Sequence, residues 1–229
     1  SEVLAIGTNF TSMKKITKAE IQQMDKIYRL NLINSLAGYK SANLIGTKSN
    51  NGITNLSIFS SVIHLGSNPA LLGFILRPTT VPRHTFSNIK ETGFYTINHV
   101  HKNFVDKAHF TSAKFAEEIS EFEACFLTEE YLDHFYAPFL KESRLKMGMK
   151  YLEEYEIKAN NTILLVGEIQ SVYLPEEILK NDGDLNLNLI KDVCISGLNN
   201  YHEVTQLAYF NYARPGQKPV NQFKKIQTR

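Results

Sequence analysis

The sequence has no tryptophan, only two cysteines and no long apolar run. Neither Cys125 nor Cys194 lies in a CxxC pattern, so we expect two buried, reduced thiols and no disulfide or cysteine-bound metal. No run approaches the roughly 20 apolar residues that a membrane helix needs. The first residues also lack the basic-then-apolar order of a signal peptide. These absences predict a soluble, cytoplasmic protein.

Neither sign of charge predominates in the chain. The chain carries 25 Lys and Arg against 23 Asp and Glu, so the overall balance does not indicate a nucleic-acid binder. Neither GxGxxG nor GxxxxGK[ST] occurs, which excludes the two common nucleotide-phosphate motifs. The 229 residues are 43% hydrophobic, enough for an ordinary core. Any cationic site must therefore be local.

The first third of the chain predicts one helix followed by a β-hairpin. Residues 17–20 read TKAE, a capping box that predicts a helix start, and Gly38 is a suitable place for that helix to end. Two strands are then predicted in SANLIGTK and ITNLSIFSSVIHL, joined by the turn residues 49–52. An antiparallel pair is the expected arrangement.

The rest of the chain predicts mainly strands, with helices at the periphery. A helix is predicted from Pro82 to Ile89, and residues 100–135 are predicted to be helical. Strands are predicted in ALLGFIL, FYTINHV, LKMGMKYLEEYEI, NTILLVGEIQSVYL, DVCIS and QLAYFNY. We expect one α+β domain over residues 1–215, mainly antiparallel β and built on a nearly closed barrel. Residues 216–229 are predicted to form a polar, basic tail or an arm on a partner subunit.

The stretch RPTTVPRHTFSNI, residues 77–89, concentrates cations and hydroxyls at a predicted helix start. The first amides of a helix have no intrahelical acceptor, and Arg83 adds a charged fork suited to phosphate oxygens. Thr85 and Asn88 can donate further hydrogen bonds. The alternative is that Arg77 and Arg83 lie on the surface while the hydroxyls cap the helix. The stretch predicts an anion site.

A second candidate segment is the strand TNLSIFSS, residues 54–61. Ser57, Ser60 and Ser61 are small, so a flat aromatic ligand could approach the backbone there and use its amide and carbonyl groups. Serine is common in ordinary strands, so this segment indicates a ligand site only in combination with residues 77–89.

Taken together, the motifs GITNLSIF, GSNP, RHTFSN and TGFYTIN occur in the order of a known family. The sequence resembles the flavin reductase-like family of FMN-binding split-barrel proteins over about residues 35–215, with later matches at AP, ES and VGEI. Two pairs of adjacent residues depart from the family pattern. Arg83 and His84 replace a common Lys-Asp, and Asn160 with Asn161 replaces a frequent Asp-His.

The resemblance implies a six-stranded Greek-key split barrel that dimerises and holds FMN in a groove near the subunit interface. It implies that the isoalloxazine ring meets Asn55, Leu56 and Ser57 largely through backbone, with Ser60 and Ser61 nearby. The candidates that it implies for the ribityl phosphate are Arg77, Arg83, His84, Thr85 and Asn88, with Lys40 as a further basic candidate.

The function implied by the resemblance is FMN-dependent oxidation of NADH or NADPH, with flavin or another small molecule as electron acceptor. The flavin carries the chemistry, so no protein nucleophile is needed. His64 could approach the nicotinamide, or it could be a structural histidine. The alternative function is a non-enzymatic FMN-binding electron carrier or flavin store.

His99 and His101 project from the same side of a predicted strand, as two ligands of a metal site could. Two imidazoles without a nearby cysteine or carboxylate are insufficient for zinc, so no metal is predicted.

Overall fold

The structure is a computed structural model that describes residues 12–78 and 84–223. The helices are α1 (Lys18–Gln23), α2 (Lys26–Leu36), α3 (His84–Thr92), α4 (Val105–Phe110) and α5 (Glu121–Ala124), with short 3-10 helices at Lys102–Phe104, Glu176–Ile178 and Leu187–Leu189. The strands are β1 (Lys40–Ser41), β2 (Asn43–Lys48), β3 (Thr54–Phe59), β4 (Ile63–Ser67), β5 (Ala70–Leu76), β6 (Phe94–His99), β7 (Glu129–Glu130), β8 (Phe139–Leu140), β9 (Lys146–Ile157), β10 (Thr162–Tyr173), β11 (Val193–Ser196) and β12 (Asn200–Glu203). Strands dominate, as the sequence predicted.

Seven of these strands form one antiparallel sheet in the order β3-β2-β6-β9-β10-β5-β4. Its two outer strands, β3 and β4, are consecutive in the chain, so the sheet must curl until its edges approach each other. Ser61 links the two sides, because its hydroxyl accepts from the Ile75 amide at 3.0 Å. The result is a barrel whose edges are not paired, which confirms the predicted split barrel.

One predicted strand is in fact two, and this raises the strand number of the main sheet from the expected six to seven. The pattern of residues 53–65 suggested a single strand, but the chain leaves the sheet at residues 60–62. β3 pairs with β2, whereas β4 pairs with β5 on the other side of the barrel. The local pattern could not reveal this crossing, because both halves have strand-like residues.

Two buried clusters hold the sheet in shape. One fills the barrel and contains Phe74, Tyr95 and Met149. The other lies between the outer face of the sheet and helices α4 and α5, and includes Leu56 and Phe122. Because neighbouring residues of a strand point to opposite faces, β2 and β3 contribute to both layers.

The N-terminal capping box is confirmed, but the predicted single helix is interrupted. The Thr17 hydroxyl and the Glu20 carboxylate satisfy each other's backbone amides, as the sequence predicted. Met24 is extended, and Asp25 caps a second helix by accepting from the amides of Ile27 and Tyr28. The predicted helix is therefore divided because Asp25 is the N-cap of a second helix.

Two further predictions of local structure fail. Residues 100–135 contain only short helical segments, and Ile119 of the expected apolar stripe is 43% exposed. The QLAYFNY stretch, residues 206–212, forms no strand but only an isolated bridge between Phe210 and Asn221, and two of its amides bond to side chains. The amide of Gln206 donates to Asn188 Oδ1 at 2.9 Å, and that of Tyr209 donates to Asn221 Oδ1 at 3.1 Å.

Among the described residues, no helix has the length and apolar character needed to cross a membrane.

Candidate functional site

A groove of about 210 Å³ lies where α3 meets the β2–β3 hairpin. Polar side chains dominate its wall, which is lined by Ser49, Asn51, Ile53, Asn55, His84, Ser87, Asn88, Glu91 and Glu117. Three of the residues singled out from the sequence, Asn55, His84 and Asn88, are therefore brought together. They come from segments about thirty residues apart in the chain.

Two buried hydrogen bonds fix the start of α3 against the sheet. The Thr85 hydroxyl donates to Asn55 Oδ1 at 2.9 Å, and Asn88 Nδ2 donates to Thr47 Oγ1 at 3.0 Å. Residues three apart lie on the same side of a helix, so both bonds hold one face of α3. Thr85 is thus an anchor of the helix, while His84 and Ser87 face the groove.

The backbone amide of Leu56, predicted to contact the flavin ring, already has a hydrogen-bond acceptor in the structure. Leu56 is fully buried, and its amide donates to Glu121 Oε2 at 3.0 Å. Asn55 is only 7% exposed. Ser57 and Ser60 are half-buried, and the Ser61 hydroxyl is engaged with β5. In this arrangement the Leu56 amide is not free to meet a ligand.

The structure does not gather all predicted basic residues at the groove. Arg83 lies outside the described residues, and Arg77 is exposed at the end of β5. Lys40 belongs to the separate sheet β1-β11-β12, where its ammonium donates to the Gly197 carbonyl at 3.3 Å. His64, the proposed nicotinamide contact, is exposed on β4 and is not part of the groove wall.

The two histidines of HVH have structural partners. His99 Nδ1 lies 2.9 Å from Asp192 Oδ2, and His101 Nδ1 accepts from the Asn103 amide at 3.1 Å. Burial and the positive charge of Arg144 lower the pKa of His101. Within residues 12–78 and 84–223, no group of three or more His, Cys, Asp or Glu side chains could hold a metal ion.

Ser49, Asn51, Ile53, Ser87, Glu91 and Glu117 line the groove without having been site candidates from the sequence, and neither was Glu121, which lies behind the wall and contacts Asn55. The carboxylate oxygen Oε2 of Glu121 accepts from Asn55 Nδ2 at 2.8 Å and from the Leu56 amide, although the residue is only 6% exposed. Burial raises the pKa of Glu121, while these bonds and the nearby His84 oppose the rise. Burial, together with this carboxylate, raises the pKa of Cys125 to about 11. No local signal marks Glu121, because its partners are about 65 residues away in the chain.

We expect Glu121→Gln to stabilise the fold at neutral pH. Because burial raises the pKa of Glu121, the native state holds the proton more tightly than the unfolded state, and the contribution of this residue to wild-type stability falls as pH rises from about 4.5. Glutamine has no such loss. The variant should melt about 2–4 °C higher at pH 7, as a difference of about 1 kcal/mol produces in a chain of this size.

Thermal melts of both proteins from pH 4 to pH 8 test this expectation. The difference in Tm should shrink toward pH 4, where the wild-type carboxyl is protonated in both states. A constant difference at every pH would contradict a titration effect of Glu121.

A wider concavity of about 500 Å³ lies between α4 and the β11–β12 turn. His109 and Tyr201 meet in its wall, with Nδ1 3.0 Å from the phenol oxygen, and burial raises the pKa of Tyr201 to about 12. This concavity is open to solvent, and none of the site residues predicted from the sequence lines it.

Comparison with known proteins gives a consistent result. The sequence model described as "Flavin reductase like domain" matches residues 40–211 of this chain. An uncharacterized protein from Aquifex aeolicus (strain VF5) is 27% identical over 172 residues, which cover 73% of this chain and 83% of the relative.

Solved structures show the same fold. A candidate flavin reductase with a split barrel domain from Shewanella frigidimarina NCIMB 400 is 49% identical, with a TM-score of 0.85 over 88% of this chain and 100% of that one. The FMN-binding protein from Thermus thermophilus, with bound 1-cyclohex-2-enone, is 17% identical, with a TM-score of 0.62 over 75% of this chain and 89% of that one. At such low identity, the second comparison shows the fold alone.

Proposed function

The chain belongs to the flavin reductase-like family, and from that premise we propose that it binds FMN in the groove beside α3. We propose further that it is an oxidoreductase that passes electrons from NADH or NADPH to free flavin or another small acceptor. The observation that carries this proposal is the meeting of Asn55, His84 and Asn88 at the start of α3.

The groove has the donors that a phosphate ester needs. The first amides of α3 have no intrahelical acceptor, and the positive end of the helix dipole favours an anion. His84 and Ser87 add an imidazole and a hydroxyl beside them. Glu91 and Glu117 also line the groove and would repel a phosphate, so we expect positive charge from Arg83 to offset them. With that cation the chemistry fits the phosphate end of FMN.

FMN, when bound, supplies the hydride and electron transfer chemistry itself. The task of the protein is then to bind and orient the cofactor. On this proposal, His84, Ser87 and Arg83 hold the phosphate, while Thr85 and Asn88 fix the helix that presents those groups. Asn55 and Ser57 line the route from the phosphate toward the ring along β3.

We also propose that the chain works as a homodimer in the cytoplasm. Residues 204–223 leave large apolar side chains uncovered, among them Leu207 at 80% and Tyr212 at 90% exposure. A second copy of the chain would cover such an arm.

The purified protein gives the direct test. We expect a yellow protein with the absorbance of oxidised flavin, release of FMN on denaturation, and a mass of two chains by light scattering. Anaerobic mixing with NADH or NADPH should bleach the flavin band. A colourless protein that does not bind added FMN would refute the cofactor.

The same mixing experiment decides between an enzyme and a non-enzymatic electron carrier or flavin store. A bound flavin that stays oxidised with both nicotinamides would contradict the reductase and support the carrier. The observation that favours the carrier as a second candidate is that His64, the residue predicted to approach a nicotinamide, is exposed on β4 and is not part of the groove wall.

A further inference from the structure

Glu121 forms hydrogen bonds to the edge strand β3 beside the groove. α5 packs against β3, and Glu121 is the first residue of α5. Its single oxygen Oε2 accepts both from Asn55 Nδ2 at 2.8 Å and from the Leu56 amide at 3.0 Å. The carboxylate therefore ties a groove residue to a helix that is outside the groove wall.

The hydrogen bonds continue from Glu121 through Asn55 to α3. Asn55 donates through Nδ2 to Glu121 and accepts through Oδ1 from the Thr85 hydroxyl at 2.9 Å. An ionised carboxylate can only accept, so it selects the end of the Asn55 amide that faces it. The opposite end must then be the acceptor for Thr85. One acceptor thus fixes the orientation of Asn55 and, through it, the first turn of α3.

A glutamine at this position could make the same contacts at lower cost. Burial of a carboxylate disfavours its charged form, and burial raises the pKa of Glu121. A glutamine amide would avoid that penalty, and its oxygen could still accept from both donors, because the Leu56 amide can only donate and so holds the oxygen end in place. The orientation of Asn55 therefore depends on an acceptor at this position.

We propose that Glu121 is a positioning residue for the cofactor groove, acting through Asn55 on the start of α3. This inference rests on the proposed binding of FMN. Glu121 does not line the groove, so its effect on a ligand passes through Asn55 and Thr85. It sets the pattern of donors and acceptors that the ligand meets.

The test compares two replacements of similar size. Glu121→Leu removes the oxygen that accepts both hydrogen bonds and should weaken FMN binding at least about tenfold, which corresponds to a loss of about 1.4 kcal/mol. Glu121→Gln can still accept from both donors and should stay within about threefold of wild type. Dissociation constants are measured by quenching of FMN fluorescence.

Thr54→Val is the matched control for a purely structural role. Thr54 precedes Asn55 and also joins β3 to α5, since its hydroxyl lies 2.7 Å from Ser120 Oγ and donates to Glu129. We expect this variant to lose stability but to keep FMN affinity within about twofold. Asn55→Ala should lose as much affinity as Glu121→Leu, and the double variant should lose no more than either, because both act through one network.

Several results would overturn the positioning role. They are a Glu121→Leu affinity within twofold of wild type, an equal loss in Thr54→Val, and additive losses in the double variant. If Glu121→Leu does not fold, Asn55→Ala decides, and an unchanged affinity there refutes the role. A wild-type protein that does not bind FMN refutes the proposed function instead, and with it this role.

Discussion

Arg83→Ala is expected to weaken FMN binding by about 10–100-fold while leaving riboflavin affinity within about twofold. A hydrogen bond to a charged group contributes about 1.5–3 kcal/mol, and tenfold in affinity corresponds to about 1.4 kcal/mol. Riboflavin lacks the phosphate, so it cannot lose that contact. Arg83 directly precedes His84, the first residue of α3. A cation at the start of a helix adds to the positive end of the helix dipole and so strengthens its attraction for an anion.

Titration of both flavins into both proteins measures the difference. Arg144→Ala serves as the control, because Arg144 is exposed and belongs to the loop before β9. It should change neither affinity. Equal losses of FMN and riboflavin in Arg83→Ala would refute a phosphate contact, and no loss of either would place Arg83 outside the site.

Gly46→Ala is expected to be among the most damaging single substitutions in the sheet. Gly46 lies in β2 opposite Leu56, and an added Cβ would be 2.4 Å from the Pro138 carbonyl oxygen and 2.6 Å from Thr96 Oγ1. The first of these is backbone and the second is a buried hydroxyl that donates to the same carbonyl. Overpacking of a core costs about 1–3 kcal/mol. We expect the upper end, a fall in Tm of about 10 °C.

Gly52→Ala makes the same chemical change without the clash. Gly52 has φ +85° in the β2–β3 turn, and nothing lies within 4 Å of an added Cβ. Its cost should be only that of a left-handed backbone, about 1–2 kcal/mol. Thermal or urea unfolding ranks the two variants. If Gly52→Ala proved the more destabilising, close packing behind β2 would not be the dominant constraint.

Glu121 connects stability with the proposed function. Its buried carboxylate lowers the stability of the fold at neutral pH, yet it orients Asn55 at the groove. Replacement by glutamine should therefore raise Tm while it nearly preserves FMN binding, and replacement by leucine should abolish the orientation. The two variants separate the effect of charge from the effect of hydrogen bonding.

Features that depend on neighbours along the chain could be predicted from local sequence. The capping box at Thr17 and Glu20 and the turn at residues 49–52 were predicted correctly, because a few adjacent residues satisfy each other's hydrogen bonds. The order of the short motifs was enough to indicate the family, because it combines several segments spread along the chain. The split-barrel class followed from that resemblance.

Contacts between residues that are distant in the chain could not be predicted in this way. The crossing of the chain at residues 60–62 depends on where β5 lies, because Ser61 makes its bonds to that strand. The contact of Glu121 with Asn55 depends on α5 packing against β3, across 66 positions of the chain. Such contacts arise from the closure of the barrel and its buried layers, and no window of local sequence records them.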